Sequence, residues 1–194
     1  MVRRSSLILD VAGVLATNFS PDFWVALAVE ANVAYEALTT FKRETREALW
    51  TGSMSEQEFW TQLCSGFPSV DRERARRMLL ASIRPLPALY DIPLWSEYAD
   101  IHVLSNHRSE WVDAILEPIR GYICSITISS DIGYCKPEPD IYAYVHAKAA
   151  GSPVIWYVDD QAQNLIEPKA LGWTTILADG SGTWRERILP LIST

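Results

Sequence analysis

Five short aliphatic runs, at residues 6–9, 101–104, 123–129, 154–158 and 174–178, recur along the chain with helix-like stretches between them. Each is rich in Ile, Val or Leu and is bounded by polar or turn residues. Runs this short, with that composition, read as buried strands of a parallel sheet joined by helical crossovers. The expected fold class is therefore α/β, a doubly wound, Rossmann-like parallel sheet. Such sheets bind ligands outside the carboxyl ends of their strands, so the residues that follow each run become the candidates for function.

The first interval is too long for one crossover helix. Between about residue 18 and residue 84 there is no convincing strand, and helices are expected at 22–31, 34–50, 55–64 and 71–83. The third opens on Ser55 with Glu58 three residues on, the pattern of a capping box. Thr51, Gly52 and Ser53 end the second, while Pro85 and Pro87 mark the return of the chain. The expected organisation is an all-helical module at 18–84, inserted into an α/β core formed by 1–17 and 85–194. Within the module, the run from Asp71 to Arg77 reads as a solvated helix face with i,i+3 and i,i+4 ion pairs. Trp24, Trp50 and Trp60 read as packing residues.

Acidic residues outnumber basic ones, 24 to 17, for a formal net charge of −7. No basic patch is implied, so neither nucleic acid nor an anionic membrane surface is an expected partner. A small anionic substrate would need local positive charge or a metal to overcome that field. The three cysteines, Cys64, Cys124 and Cys135, are odd in number and lack C-x-x-C spacing. That argues against a disulfide framework or zinc site and suits a reducing compartment. The opening residues do not resemble a signal peptide, and no apolar stretch is long enough to span a membrane. A cytoplasmic monomer or homodimer is expected.

At the strand ends the chemistry concentrates. The first run is followed by Asp10-Val11-Ala12-Gly13-Val14, the second by Ser105-Asn106-His107, and the fourth by Asp159-Asp160 with Asn164 beyond. Lys136-Pro137-Glu138-Pro139 precedes a crossover helix. A carboxylate nucleophile, a small hydroxyl, an ammonium and a carboxylate pair thus converge on one sheet edge, the equipment for phosphoryl transfer.

These four segments, in this order, resemble the four motifs of the haloacid dehalogenase superfamily: Asp-x-x-Gly-Val, Leu-Ser-Asn, Lys-Pro-x-Pro-x-Ile-Tyr and Val-Asp-Asp-x-x-x-Asn-Leu. The helical insert resembles that superfamily's C1 cap. Residues 129–133 and 171–177 look most similar to the bacterial α-glucose-1-phosphate phosphatases and the phosphatase domain of soluble epoxide hydrolase. The resemblance implies a Mg²⁺-dependent hydrolase of a small phosphorylated substrate. It makes Asp10 the nucleophile that forms an aspartyl-phosphate. Asp10, the Ala12 carbonyl and Asp160 would ligate Mg²⁺, with Asp159 and Asn164 in or beside that shell. Ser105 would bind a phosphoryl oxygen, Lys136 would neutralise nucleophile and phosphate, and Asn106 and His107 would orient substrate.

One position departs from the phosphatase pattern. A second Asp usually stands two residues after the nucleophile and serves as general acid and base, but here Ala12 occupies it. A phosphonate-cleaving branch also has Ala there and relies on a cap lysine; Lys42 is the one lysine of the insert, with flanks that read as a charged helix face. Dehalogenases lack the second Asp too, but do not keep the metal-binding Asp-Asp pair. The alternatives to a phosphatase are accordingly a C–halogen or C–P hydrolase, or a degenerate phosphatase that acts as a binding protein.

Overall fold

The computed structural model describes residues 4–193; Met1–Arg3 and Thr194, which fall in the expected core, lie outside the described residues. Five strands, β1 (Ser6–Leu9), β2 (Asp100–Ser105), β3 (Ile123–Ile128), β4 (Ile155–Asp159) and β5 (Thr174–Leu177), pair in parallel in the order β3-β2-β1-β4-β5. All five lie within a residue or two of the runs that signalled them. The chain winds outward from β1 through β2 to β3, then crosses to β4 and β5. The switch point of this doubly wound sheet therefore lies between β1 and β4.

Four helices, α1 (Phe19–Ala31), α2 (Tyr35–Trp50), α3 (Glu56–Gly66) and α4 (Arg72–Ser82), fill the long interval between β1 and β2. The remaining helices are α5 (Ile92–Trp95), α6 (Ser109–Leu116), α7 (Ser129–Ile132), α8 (Pro139–Lys148), α9 (Ile166–Ala170) and α10 (Trp184–Ile192). None of the described helices is long and apolar enough to cross a membrane.

Strand alternation explains why the sheet is covered on both faces. In β1, Leu7 and Leu9 join Ile101, Val103 and Val158 against Trp95, Val112, Trp184 and Ile188 of α5, α6 and α10. Ile8 points the other way, with Leu104 and Tyr157, onto Ile141, Tyr142 and Val145 of α8. Side chains two residues apart share a face, so a continuous apolar run requires two cores. His102 is a polar residue in the middle of β2; its ring nitrogens lie 3.3 Å from Ser6 Oγ and 2.7 Å from Ser125 Oγ.

The four inserted helices pack around a third cluster, built from Phe23, Trp24, Leu27, Leu38, Phe59, Trp60 and Leu79. Edge-on ring contacts recur in it, with centroids 5.0 Å apart for Phe23–Trp24 and 5.0 Å for Phe59–Trp60. Trp111 of α6 reaches into this cluster from the sheet side, and Glu56 Oε1 accepts from both Trp60 Nε1 (3.1 Å) and Trp111 Nε1 (2.9 Å). Arg108 Nη1 donates to the Met54 carbonyl at 2.7 Å. The Thr51–Ser53 turn lies so close to α7 that a Cβ on Gly52, where φ is +75°, would run into the Ser130 carbonyl.

The capping box at Ser55 forms as expected, Glu58 N donating to Ser55 Oγ at 3.2 Å and Ser55 N to Glu58 Oε2 at 2.8 Å. The charged run at 71–77 corrects the expectation of pairs along one helix face. Asp71 caps α4 by accepting from Arg74 N (2.7 Å), while Arg74 pairs with Glu30 of α1 and Arg76 with Glu56 of α3, both at 2.8 Å. These charges tie helices together, because neighbouring helices present acids closer than α4 itself does.

Candidate active site

Asp10 follows β1 directly, and its amide donates to the Val158 carbonyl at 3.0 Å, extending the β1–β4 ladder by one rung. The chain then turns tightly: Leu15 N and Ala16 N donate to the Val11 carbonyl at 2.9 and 2.8 Å, and Gly13 N to the Ala16 carbonyl at 2.7 Å. Gly13 has φ +80°, and a Cβ there would collide with the Asp160 carboxyl group. Glycine is needed on both counts, and the bare backbone lets the β1 turn and the β4 end close on each other.

Lys136, nearly wholly buried, joins these ends. Its ammonium lies 2.9 Å from Asp10 Oδ2 and 2.7 Å from Asp159 Oδ2, and donates to the Leu104 carbonyl at 3.4 Å. Asp159 is saturated. Its oxygens also accept from Tyr157 OH (2.5 Å), Gln161 N (2.8 Å) and Asn164 Nδ2 (3.0 and 3.1 Å). Asp160, by contrast, has a buried Oδ1 with no hydrogen-bond partner, as do Ser105 Oγ and Asn164 Oδ1. Buried polar atoms are rarely left unpaired in native proteins, so three such atoms around one carboxylate cluster mark a place for a ligand.

Burial pushes Asp10 up to about 7; Lys136 opposes this, and Asp159 and Asp160 add to it. Burial also raises Asp160, helped by Asp159, whereas Lys136 and its other donors hold Asp159 below the usual carboxylate range despite its burial. Lys136 is raised, since its two carboxylates outweigh its own desolvation. Asp10, Asp159 and Asp160 present oxygens within 4.8 Å of one another. Three carboxylates against one ammonium leave two negative charges uncompensated when all are ionised. An oxygen-only donor set with that deficit and an unsatisfied Asp160 oxygen fits a hard divalent cation such as Mg²⁺.

The other expected residues lie at the same mouth with varied engagements. Asn106 spends both amide atoms on Lys136, donating to its carbonyl and accepting from its N–H, each at 2.8 Å. It thus locks the Lys136 loop to the end of β2 while also lining the cleft over Asp10. His107 is buried, and burial together with Lys136 pushes its proton affinity down to about 3, so its ring is neutral at pH 7. Burial and Glu138 push the Cys135 thiol up to about 11.

A cleft of about 430 Å³ opens over Asp10, Ala12, Asn106, His107 and Lys136, and is walled on the helical side by Ser20, Arg46, Glu47 and Trp50. Beside it lies a smaller, apolar chamber of about 60 Å³ among α1–α4 and α6. Ser20, Arg46, Trp50 and His107 belong to the walls of both. Lys42, expected on a charged helix face, is half-buried and lines this chamber; burial and Arg46 lower its proton affinity. Trp24 and Trp50, expected as packing, contribute walls as well, whereas Trp60 is fully buried packing.

Sequence inspection missed Tyr157 and the α2 stripe. Tyr157 stands two residues before Asp159 in a strand, hence on the same face. Positions 42, 45, 46, 49 and 50 follow helical spacing and turn one face of α2 to the cavities; the spacing was legible, but nothing in it named the site.

No family model and no curated protein matches the chain. Solved structures do. A predicted HAD-like family hydrolase from Porphyromonas gingivalis superposes with a TM-score of 0.75 at 18% identity, covering 100% of both chains. A HAD family enzyme from Bacteroides thetaiotaomicron, solved with magnesium and inorganic phosphate, gives 0.67 at 17% identity over 90% of this chain and 93% of its own. A dehalogenase gives 0.70 at 20% identity over 98% of each chain. The fold is that of the HAD-like hydrolases.

Two outcomes follow from this geometry. Gly13→Ala should cost about 1 kcal/mol or more from the positive φ alone, and more because its Cβ would displace the Asp160 carboxyl group, read as a fall in the urea unfolding free energy. An unchanged unfolding free energy would show that the Gly13–Asp160 approach is not constrained. His107 takes up a proton more readily unfolded, near 6.5, than folded, so its contribution is present above that value and lost as pH falls towards about 3. Between pH 7 and pH 5 this should remove about 2 kcal/mol from the urea unfolding free energy, and His107→Gln should lose that part of the slope.

Proposed function

We propose that this chain is a Mg²⁺-dependent phosphatase of the haloacid dehalogenase superfamily, acting on a small phosphorylated metabolite through Asp10. The observation that carries it is the buried Lys136 ammonium shared by Asp10 and Asp159, beside an Asp160 oxygen that no protein group satisfies. Asp10, the Ala12 carbonyl and Asp160 would hold Mg²⁺, which when bound offsets charge on the phosphoryl oxygens. The magnesium and phosphate complex of the similar Bacteroides enzyme supports this ion and this anion.

The chain's own residues then divide the work. The Asp10 carboxylate attacks phosphorus as the bond to the leaving oxygen breaks, giving an aspartyl-phosphate. Lys136 keeps Asp10 in register and offers its charge to the phosphoryl group, and the unpaired Ser105 hydroxyl donates to a phosphoryl oxygen. Water then attacks the acyl phosphate, releasing phosphate and restoring the carboxylate. Asp159 takes no direct part; it orients Lys136 and is itself held by Tyr157 and Asn164. Within the superfamily, the motifs favour the α-glucose-1-phosphate phosphatase branch. The four inserted helices act as the cap over the cleft, and a cytoplasmic enzyme working as monomer or homodimer fits the charge and cysteine content.

One observation favours a second reading, a C–P hydrolase: the cap lysine Lys42 lines the chamber with lowered proton affinity, as a Schiff-base amine requires. Borohydride trapping of a carbonyl phosphonate on Lys42 is the observation that would decide for it.

Asp10→Asn should lower Mg²⁺-dependent turnover in a phosphometabolite screen by at least about 10³-fold with unchanged far-UV dichroism, and excess chelator should abolish wild-type turnover. Full activity in chelator points instead to dehalogenase chemistry. Because Ala12 provides no acid, aryl and acyl phosphates should outpace alkyl phosphates. Ala12→Asp should then raise alkyl-ester turnover by up to about 10²–10⁴-fold and aryl-ester turnover far less. A flat leaving-group series in the wild type would falsify the claim that no other group donates this proton.

A further inference from the structure

We propose that the helical wall of the cleft carries a second anion site, in which the Arg46 guanidinium, backed by Lys42, binds a carboxylate or a second phosphoryl group on the leaving part of the substrate. This deepens the phosphatase reading above, which puts the transferred phosphoryl group at Asp10 and Lys136.

Two cations without carboxylates mark the place. Lys42 and Arg46 stand one turn apart on α2, a spacing at which like charges repel. Burial lowers the proton affinity of Lys42, and Arg46 lowers it further. Neither side chain forms an ion pair or a hydrogen bond with a described residue. The chain has 24 acidic residues to draw on, and other cations near the junction of inserted helices and sheet use them. Arg76 pairs with Glu56, Arg108 with Glu110, and Lys136 with Asp10 and Asp159. A like-charge pair left unrelieved at a ligand cleft is relieved by an anion from solution.

Arg46 is also suited to that task. Its Cζ lies over the Trp50 ring, 5.2 Å from the ring centre, which restricts the side chain and leaves its N–H donors unused. Those donors form a planar fork that matches the paired oxygens of a carboxylate or phosphoryl group. A side chain already restrained loses less freedom when a ligand binds.

Position agrees with chemistry. Arg46 and Trp50 line the same cleft as Asp10 and Lys136, and its volume of about 430 Å³ is that of a small-ligand pocket. Arg46 lies near enough to the Lys136 loop for its charge to oppose the upward push of burial, Glu138 and Glu47 on the Cys135 thiol. Lys136 and Arg46 are the cationic side chains of the lining. Lys136 is committed to two carboxylates, whereas Arg46 has charge to spare. Glu47 and Glu138 line other parts of the cleft and repel an anion there, which steers it to Arg46.

The test is calorimetric binding of three phosphonates to the full chain in saturating Mg²⁺: propylphosphonate, 3-phosphonopropionate and ethane-1,2-diphosphonate. The first ends in a methyl group, the others in a carboxylate and a second phosphonate on chains of similar length. At least one of the anionic tails should raise affinity about 10–100-fold over propylphosphonate, the range of one charge-assisted contact. The tighter of the two identifies the anion. Arg46→Gln should bring that ratio towards one, and Arg46→Lys should restore part of it. A merely structural loss in Arg46→Gln would weaken all three probes alike and leave the ratio unchanged. Propylphosphonate bound as tightly as both other probes, or a ratio that survives Arg46→Gln, overturns the second site and leaves the phosphoryl site standing. Failure of all three to bind overturns the phosphatase reading and this site together.

Discussion

An ammonium group buried among three strand ends has few ways to be stable, and Lys136 uses most of them. Its nitrogen meets Asp10 beyond β1, Asp159 at the end of β4 and the Leu104 carbonyl in β2. Removed from water without those partners it would be prohibitively costly, and without Lys136 the penalty would fall hardest on Asp10, since Asp159 keeps donors from Tyr157, Gln161 and Asn164. The carboxyl ends of three adjacent strands are therefore joined through a single charge. Everything at the mouth is placed relative to it.

The arrangement is asymmetric. Asp159 is filled by donors from Lys136, Tyr157, Gln161 and Asn164, which explains why it stays ionised in a dry setting. Asp10 and Asp160 have fewer donors and are pushed towards protonation. A site built this way has spare oxygen lone pairs and an excess of negative charge, and a cation relieves both. Asn106 pins the Lys136 loop from the other side with two hydrogen bonds, so the ammonium is fixed by backbone as well as by charge.

Facing this rigid edge, the inserted helices contribute a different chemistry. Their aromatic cluster is continuous with Trp111 of α6, and Glu56 ties the two together through both indole N–H groups. The polar cleft and the apolar chamber meet at Ser20, Arg46, Trp50 and His107, so charge lies on one side of that junction and aromatic rings on the other.

The sequence alone determined the sheet, the interrupted first crossover and the identity of the residues at the strand ends. Aliphatic runs and capping residues act over a few positions, and parallel strands of a doubly wound sheet deliver their carboxyl ends to one edge whatever the loops do. Thus Asp10, Ser105, Lys136, Asp159, Asp160 and Asn164 could be nominated without coordinates. Which of two adjacent aspartates was saturated could not, because Asp159 and Asp160 differ only in the direction that strand geometry gives each side chain. Nor could the task of Asn106, the neutrality of His107, or the turn of Lys42 from an apparently charged face towards an apolar chamber. Those depend on contacts such as Asn106 and His107 with Lys136, or Lys42 with Phe23 and Trp111 around one chamber, which only the packing of separate elements brings together.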